Sequence, residues 1–146
     1  MTPDWITRRL KTFEEKQAKI RLREQYEHNA ISAFPSMFEA LTSRVASDVR
    51  AYNELFGTSP HLGRCRAGFE KLEDGFMVEV GDTRVRVQKA NATIVAIAYS
   101  GANYRPADHL QLVPDESGNL RFKDSEGTLL GVEKASEIIL DPVLCG

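Results

Sequence analysis

On either side of the dipeptide Gly81–Asp82 the side chains alternate with a period of two, with Phe76, Val78 and Val80 at even positions before it and Thr83, Val85 and Val87 at odd positions after it. Successive side chains of a strand point to opposite faces, so this pattern specifies a half-buried β-ribbon and not a helix. A two-residue turn at Gly81 and Asp82 puts Phe76, Val78 and Val80 on the same face as Thr83, Val85 and Val87. Glu79 then lies opposite Arg84 on the other face, beside Met77 and Arg86. A slip of one residue would exchange the two faces, which makes this register the firmest constraint in the chain.

The flanking strands extend the ribbon. A three-residue turn at Ala90, Asn91 and Ala92 predicts that Val95, Ile97 and Tyr99 join the core face, leaving Ile94, Ala96 and Ala98 as a shallow apolar strip beside the arginines. A four-residue loop through Asp74 and Gly75 brings Phe69, Ala67 and Cys65 to the core face, and Cys65 reads as a small buried apolar residue. Leu110 with Leu112, and Leu120 with Phe122, alternate on either side of a turn in the segment Pro114 to Asn119. The expected sheet is an antiparallel meander of about five to six strands.

Helical periodicity frames the sheet. Thr2 and Pro3 are residues that open helices, and Asp4 suits the positive helix end. Ile6, Leu10, Phe13, Ile20 and Ile31 follow near-heptad steps, yet Gln17, Glu24 and Glu27 interrupt the stripe, so this segment is weakly held by its own pattern. Pro35 disfavours helical geometry at Phe34 and predicts a break or kink near Ala33, giving two helices or one kinked near Pro35. Phe34, Phe38, Leu41, Val45, Val49, Tyr52 and Phe56, flanked by Met37 and Leu55, form a second, stronger stripe, which Gly57 is placed to end. Asp48 falls inside that stripe and is expected at its edge. Ala135, Ile138 and Ile139 mark a short C-terminal helix that Pro142 should end or kink.

These elements make one α+β domain spanning residues 1–146, with residues 1–33 as a protruding or assembly helix. At 146 residues such a chain buries about 70% of its unfolded surface, so no metal or disulfide is needed to stabilise it. The longest apolar run, Ile94 to Tyr99, is far below the roughly 20 residues of a membrane-spanning helix, and the first ten residues carry charge where a secretory signal is apolar. With two widely separated cysteines, Cys65 and Cys145, a cytoplasmic location is expected.

The sequence holds no phosphate loop, dinucleotide-binding glycines, nucleophile elbow or paired metal-ligand motif, so neither a cofactor nor a metal is expected. His61, Cys65, Cys145 and His109 have zinc-binding side chains without zinc-site spacing. Three readings of function follow. The first is a noncatalytic interaction or regulatory domain that assembles through its N-terminal helix, with itself or with a protein partner. The second is binding of nucleic acid or an anionic membrane surface through Arg8, Arg9, Lys16, Lys19 and Arg23, which share one arc of that helix, with Trp5 as an interfacial anchor. The third is a small-ligand or enzymatic site in the 99–109 segment, read as a long polar loop, from Ser100, Asn103, Tyr104, Arg105 and His109. Charge is also divided along the chain. Trp5 to Arg23 has seven basic and two acidic residues, whereas Pro114 to Gly146 has three basic and seven acidic ones, so an attraction between them is expected, within the molecule or between subunits. Arg84 and Arg86 read as the solvated side of the sheet.

Overall fold

A computed structural model describes residues 2–58, 66–90, 93–100 and 103–144, and the side chains of all of these except 56–58 and 103–108. The architecture is α+β, as the periodicities predict: a long helix α1 (Asp4–Thr58), seven strands, and a short helix α2 (Val132–Leu144). The strands are β1 (Ala67–Leu72), β2 (Gly75–Val80), β3 (Thr83–Ala90), β4 (Thr93–Ser100), β5 (Asn103–Pro114), β6 (Leu120–Lys123) and β7 (Leu129–Leu130). They form one antiparallel sheet in sequence order, one strand more than the pattern predicts because β7 has only two residues.

The ribbon at the centre has the expected register. Phe76 pairs with Val87, Val78 with Val85 and Glu79 with Arg84. Gly81 sits in the turn with a φ of 62°, a left-handed backbone conformation that glycine adopts at no steric cost. Phe76, Val78, Val85 and Val87 are fully buried. At the sheet edge Ala67 pairs with Val80, and the Asn53 side chain of α1 completes that edge. Its Nδ2 donates to the Ala67 carbonyl at 2.8 Å, while its Oδ1 accepts from the Ala67 N–H at 2.8 Å.

The fourth strand differs from expectation. Ala90 pairs with Thr93, so the β3–β4 connection has two residues and not three, and every β4 side chain changes face. Ile94 and Ala96 are buried in the core, while Val95, Ile97 and Tyr99 stand on the outer face opposite Gln88, Arg86 and Arg84. The physical reason lies in the helix layer: α2 packs over β3 and β4, where the small Ala96 leaves room for it, and the Arg86 and Gln88 stems opposite Ile97 and Val95 shelter those residues on the other face. The apolar strip of Ile94, Ala96 and Ala98 beside the arginines therefore does not exist.

Both helices lie on the inner face. Ala30, Phe34, Phe38, Leu41, Val45 and Val49 of α1 join Ala135, Ile139, Leu140 and Val143 of α2 in one core with the inward strand residues. Leu55, expected to flank this stripe, is exposed. The helix α1 runs unbroken through Pro35, in place of two helices. Burial begins at Ala30, so packing clamps the chain on both sides of the proline and offsets the hydrogen bond that its ring removes. Pro142 likewise lies inside α2, which continues to Leu144. Asp48 does sit at the edge of its stripe, and it has partners as well: Arg44 Nε at 3.1 Å and Ser136 Oγ at 2.7 Å.

Two related turns link the last strands. In both Asp115–Asn119 and Asp124–Thr128 the aspartate carboxylate accepts two backbone N–H bonds of 2.8–2.9 Å, and the glycine (Gly118 or Gly127) has a positive φ. The first of these turns touches α1. A Cβ added to Gly118 would lie 2.9 Å from the Tyr26 ring, so glycine is required where the helix leaves the sheet. Cys65, His61 and Cys145, and the side chain of Phe56, lie outside the described residues, so the core placement of Cys65 does too.

Candidate functional site

The first half of α1 is built unlike the second. From Asp4 to Asn29 every residue is exposed except Gln17 and Tyr26, which are half-buried. At 1.5 Å per residue this stretch is an arm of about 39 Å. The near-heptad stripe of the sequence lies along it in the open: Leu10 is 56% and Phe13 58% exposed, and Ile6, Ile20 and Ile31 are also exposed. The steps of four and three residues that carry this stripe continue through Phe34, Phe38, Leu41 and Val45, where the same ladder is buried under the sheet. One face of one helix is thus core at one end and bare at the other. Exposed large apolar residues scattered singly are ordinary, whereas here five of them share one helix face, with Gln17, Glu24 and Glu27 between them.

The basic residues predicted as an anion site flank this row. Arg8, Arg9, Lys16, Lys19 and Arg23 are all exposed and lie along one side of the arm. Trp5 stands among them, with the Arg9 guanidinium 5.9 Å from its ring centre. A shallow groove of about 520 Å³ runs between Trp5, Arg8, Arg9, Thr12, Phe13 and Lys16. At the root of the arm a second hollow, of about 540 Å³, opens between the helix and the sheet, bounded by Glu27, Ile31, Phe34, Pro35, Gln111 and Pro114 among others.

The residues predicted as a ligand site at 99–109 are not on a long loop. Tyr99 and Ser100 belong to β4, and β5 begins at Asn103, with Ser100 paired to Asn103, Tyr99 to Tyr104 and Ala98 to Arg105. A register shift between Ala96 and Ile97 admits one extra residue into β5 before His109, which is exposed and opposite Val95. Ser100 and His109 are thereby set about 17 Å apart along the strands, at about 3.4 Å per residue. The side chains of Asn103, Tyr104 and Arg105 lie outside the described residues. Among the described residues no three acidic, histidine or cysteine side chains gather as a metal site, and no helix is long and apolar enough to cross a membrane.

The outer face of the sheet holds the feature that periodicity alone misses. Met77, Val95, Ile97 and Tyr99 lie there with Arg84 and Arg86, and the Arg84 guanidinium is 4.9 Å from the Tyr99 ring centre. Arg86 Nη2 is 3.6 Å from Asp74 Oδ2. Comparison with protein-family models, with curated proteins and with solved structures finds no match.

Proposed function

We propose that this chain is a noncatalytic interaction module, a compact α+β body that carries a helical arm for assembly with a second copy or with a protein partner. The observation that carries this reading is the open apolar row on the arm, continuous with a ladder that is core further along the same helix. Helices in proteins owe most of their stability to packing of an apolar face, and the arm makes almost none of its own. A partner that covers Leu10, Phe13 and Ile20 would supply that packing. A cytoplasmic location is part of the proposal, in keeping with two cysteines far apart in sequence.

Sedimentation of the intact chain over a wide concentration range, with affinity capture from a cell extract alongside, tests the reading. The expected result is self-association or a captured partner, either of them lost when Met1 to His28 are removed. Among the described residues every buried hydrophobic one lies beyond that segment, so the shortened chain should keep its body. A monomer at all concentrations that captures no protein would overturn it.

A second reading rests on the strip of Arg8, Arg9, Lys16, Lys19 and Arg23 around Trp5: an electrostatic grip on nucleic acid or an anionic membrane surface. It requires binding that falls steeply with added salt and weakens when Arg8, Lys16, Lys19 and Arg23 are changed to Gln. Binding to DNA, RNA or acidic vesicles that is absent, or unmoved by both treatments, would dismiss it.

A further inference from the structure

We infer that the basic arc of the arm grips the phosphate backbone of a nucleic-acid duplex lying across the helix, and not a membrane surface. This extends the electrostatic reading of the arm, on which it rests, by the class of polyanion, the face that touches it and the direction in which it lies.

Charge is sorted around the arm as well as along the chain. At about 100° per residue Arg8, Arg9, Lys16, Lys19 and Arg23 share an arc of about 100° with Trp5 and Thr12. The carboxylates of the same stretch, Asp4, Glu14 and Glu15, fall outside that arc, as do Lys11 and Arg21. Among the described residues no carboxylate lies within ion-pair distance of any of the five arc cations. Asp4 to Arg23 carries seven basic and three acidic residues, a net of +4, while the whole chain stands at −2, so the remainder carries −6. A polyanion is therefore drawn to the arm and repelled by the body.

The sheet decides the shape of the partner. Lys16 and Phe34, Ile20 and Phe38, and Arg23 and Leu41 are each 18 residues apart, which is five helical turns, so the members of each pair point the same way. Phe34, Phe38 and Leu41 are buried under the sheet, and α1 is one helix from Asp4 to Thr58. The basic arc and the apolar row beside it thus both face the side on which the body projects. A bilayer is an unbroken plane, and an interfacial helix must sink its apolar face into it. Laid against this side, the plane would meet the sheet before it met the arm. A duplex is a rod, and it fits crosswise in the corner between arm and sheet. From Arg8 to Arg23 is about 22 Å of helix, so the five cations are set along one crossing of such a rod. The inner wall of the corner is the turn at Asp115–Asn119, whose Gly118 lies against Tyr26. Asp115 and Glu116 of that turn hold a polyanion off the body and leave Arg23 as the innermost contact.

Trp5 is the one tryptophan of the chain and lies within the arc, so its fluorescence reads the contact. The intact chain is titrated at several salt concentrations with a short duplex of mixed sequence, once of DNA and once of RNA, and in parallel with vesicles of phosphatidylserine and phosphatidylcholine in equal parts. For five phosphate contacts log K should fall with log salt at a slope of about −4.5, roughly a 500-fold loss of affinity between about 50 and 200 mM. Lys19→Gln and Arg23→Gln should each reduce the slope by about one, whereas Lys11→Gln and Arg21→Gln, the same change of charge outside the arc, should leave it unchanged. Binding of either duplex in this way supports the inference, and the tighter of the two names the nucleic acid. Equal effects of all four substitutions would mean a diffuse attraction and would overturn it. Vesicles that bind as tightly as both duplexes, or in their place, overturn it too, while leaving the electrostatic reading of the arm standing. Binding to neither at the lowest salt overturns both.

Discussion

Ser136 Oγ donates a 2.7 Å hydrogen bond to Asp48 Oδ2, joining the fully buried hydroxyl of α2 to the one acidic residue in the core stripe of α1. Arg44 extends the tie, bonding Asp48 at 3.1 Å and Glu133 at 3.2 Å. The ion pairs are largely in water and contribute little, whereas the hydroxyl has no water to fall back on. Asp48→Ala should therefore cost about 1–3 kcal/mol by leaving a buried donor unpaired. Ser136→Ala should cost less, and the double variant less than the sum of the two by at least about 0.5 kcal/mol. Urea titration of the three variants reads this; strict additivity would mean that the bond carries no energy.

Val87 and Arg86 are neighbours with opposite surroundings. Val87 is fully buried opposite Phe76 and Ala96, while the Arg86 side chain is 43% exposed and meets Asp74 only at 3.6 Å. Val87→Ala should cost about 1–3 kcal/mol, and Arg86→Ala should stay within about 0.5 kcal/mol. Denaturant midpoints of the two variants give the order, and a larger loss for Arg86→Ala would reverse the faces of the sheet.

Ala96 and Ile97 test the fourth strand in the same way. Ala96→Leu adds volume where the core is full and should cost about 1–3 kcal/mol. Ile97→Ala, on the half-exposed outer face, should cost less than about 1 kcal/mol. Thermal melts of both proteins decide it. An Ile97→Ala loss greater than that of Ala96→Leu would restore the three-residue turn.

The sequence made the fold legible wherever one face of an element is polar. Arg84, Arg86 and Glu79 mark the wet side of β2 and β3, so Val78 and Val85 could be placed without a structure. In β4 the run from Ile94 to Tyr99 is apolar on both faces, alternation is silent, and the face depends wholly on the length of a turn. The turn at Asp124–Thr128 repeats the chemistry of the one at Asp115–Asn119, but it leads to a strand of two residues, too short to show a period. Pro35 left two outcomes open, two helices or one kinked helix, and the single helix holds because Ala30, Phe34 and Phe38 pack on the sheet around it. The arm was legible as a weakly held helix from Gln17, Glu24 and Glu27 in its stripe. That the same ladder turns from bare to buried at Phe34 depends on where the sheet lies, which no local pattern records.

Amide hydrogen exchange of the intact chain, compared with a Leu10→Lys, Phe13→Lys variant, tests the assembly arm most directly. Lysine keeps helix propensity while removing the apolar row, and added salt screens its repulsion with Arg9 and Lys16, so the loss of protection reports a lost partner. The expected result is that amides from Arg8 to His28 exchange at least about tenfold faster in the variant, while those of Val78, Val85 and Val87 are unchanged. Equal exchange along the arm in both proteins, at concentrations up to the highest attainable, would contradict self-assembly through it.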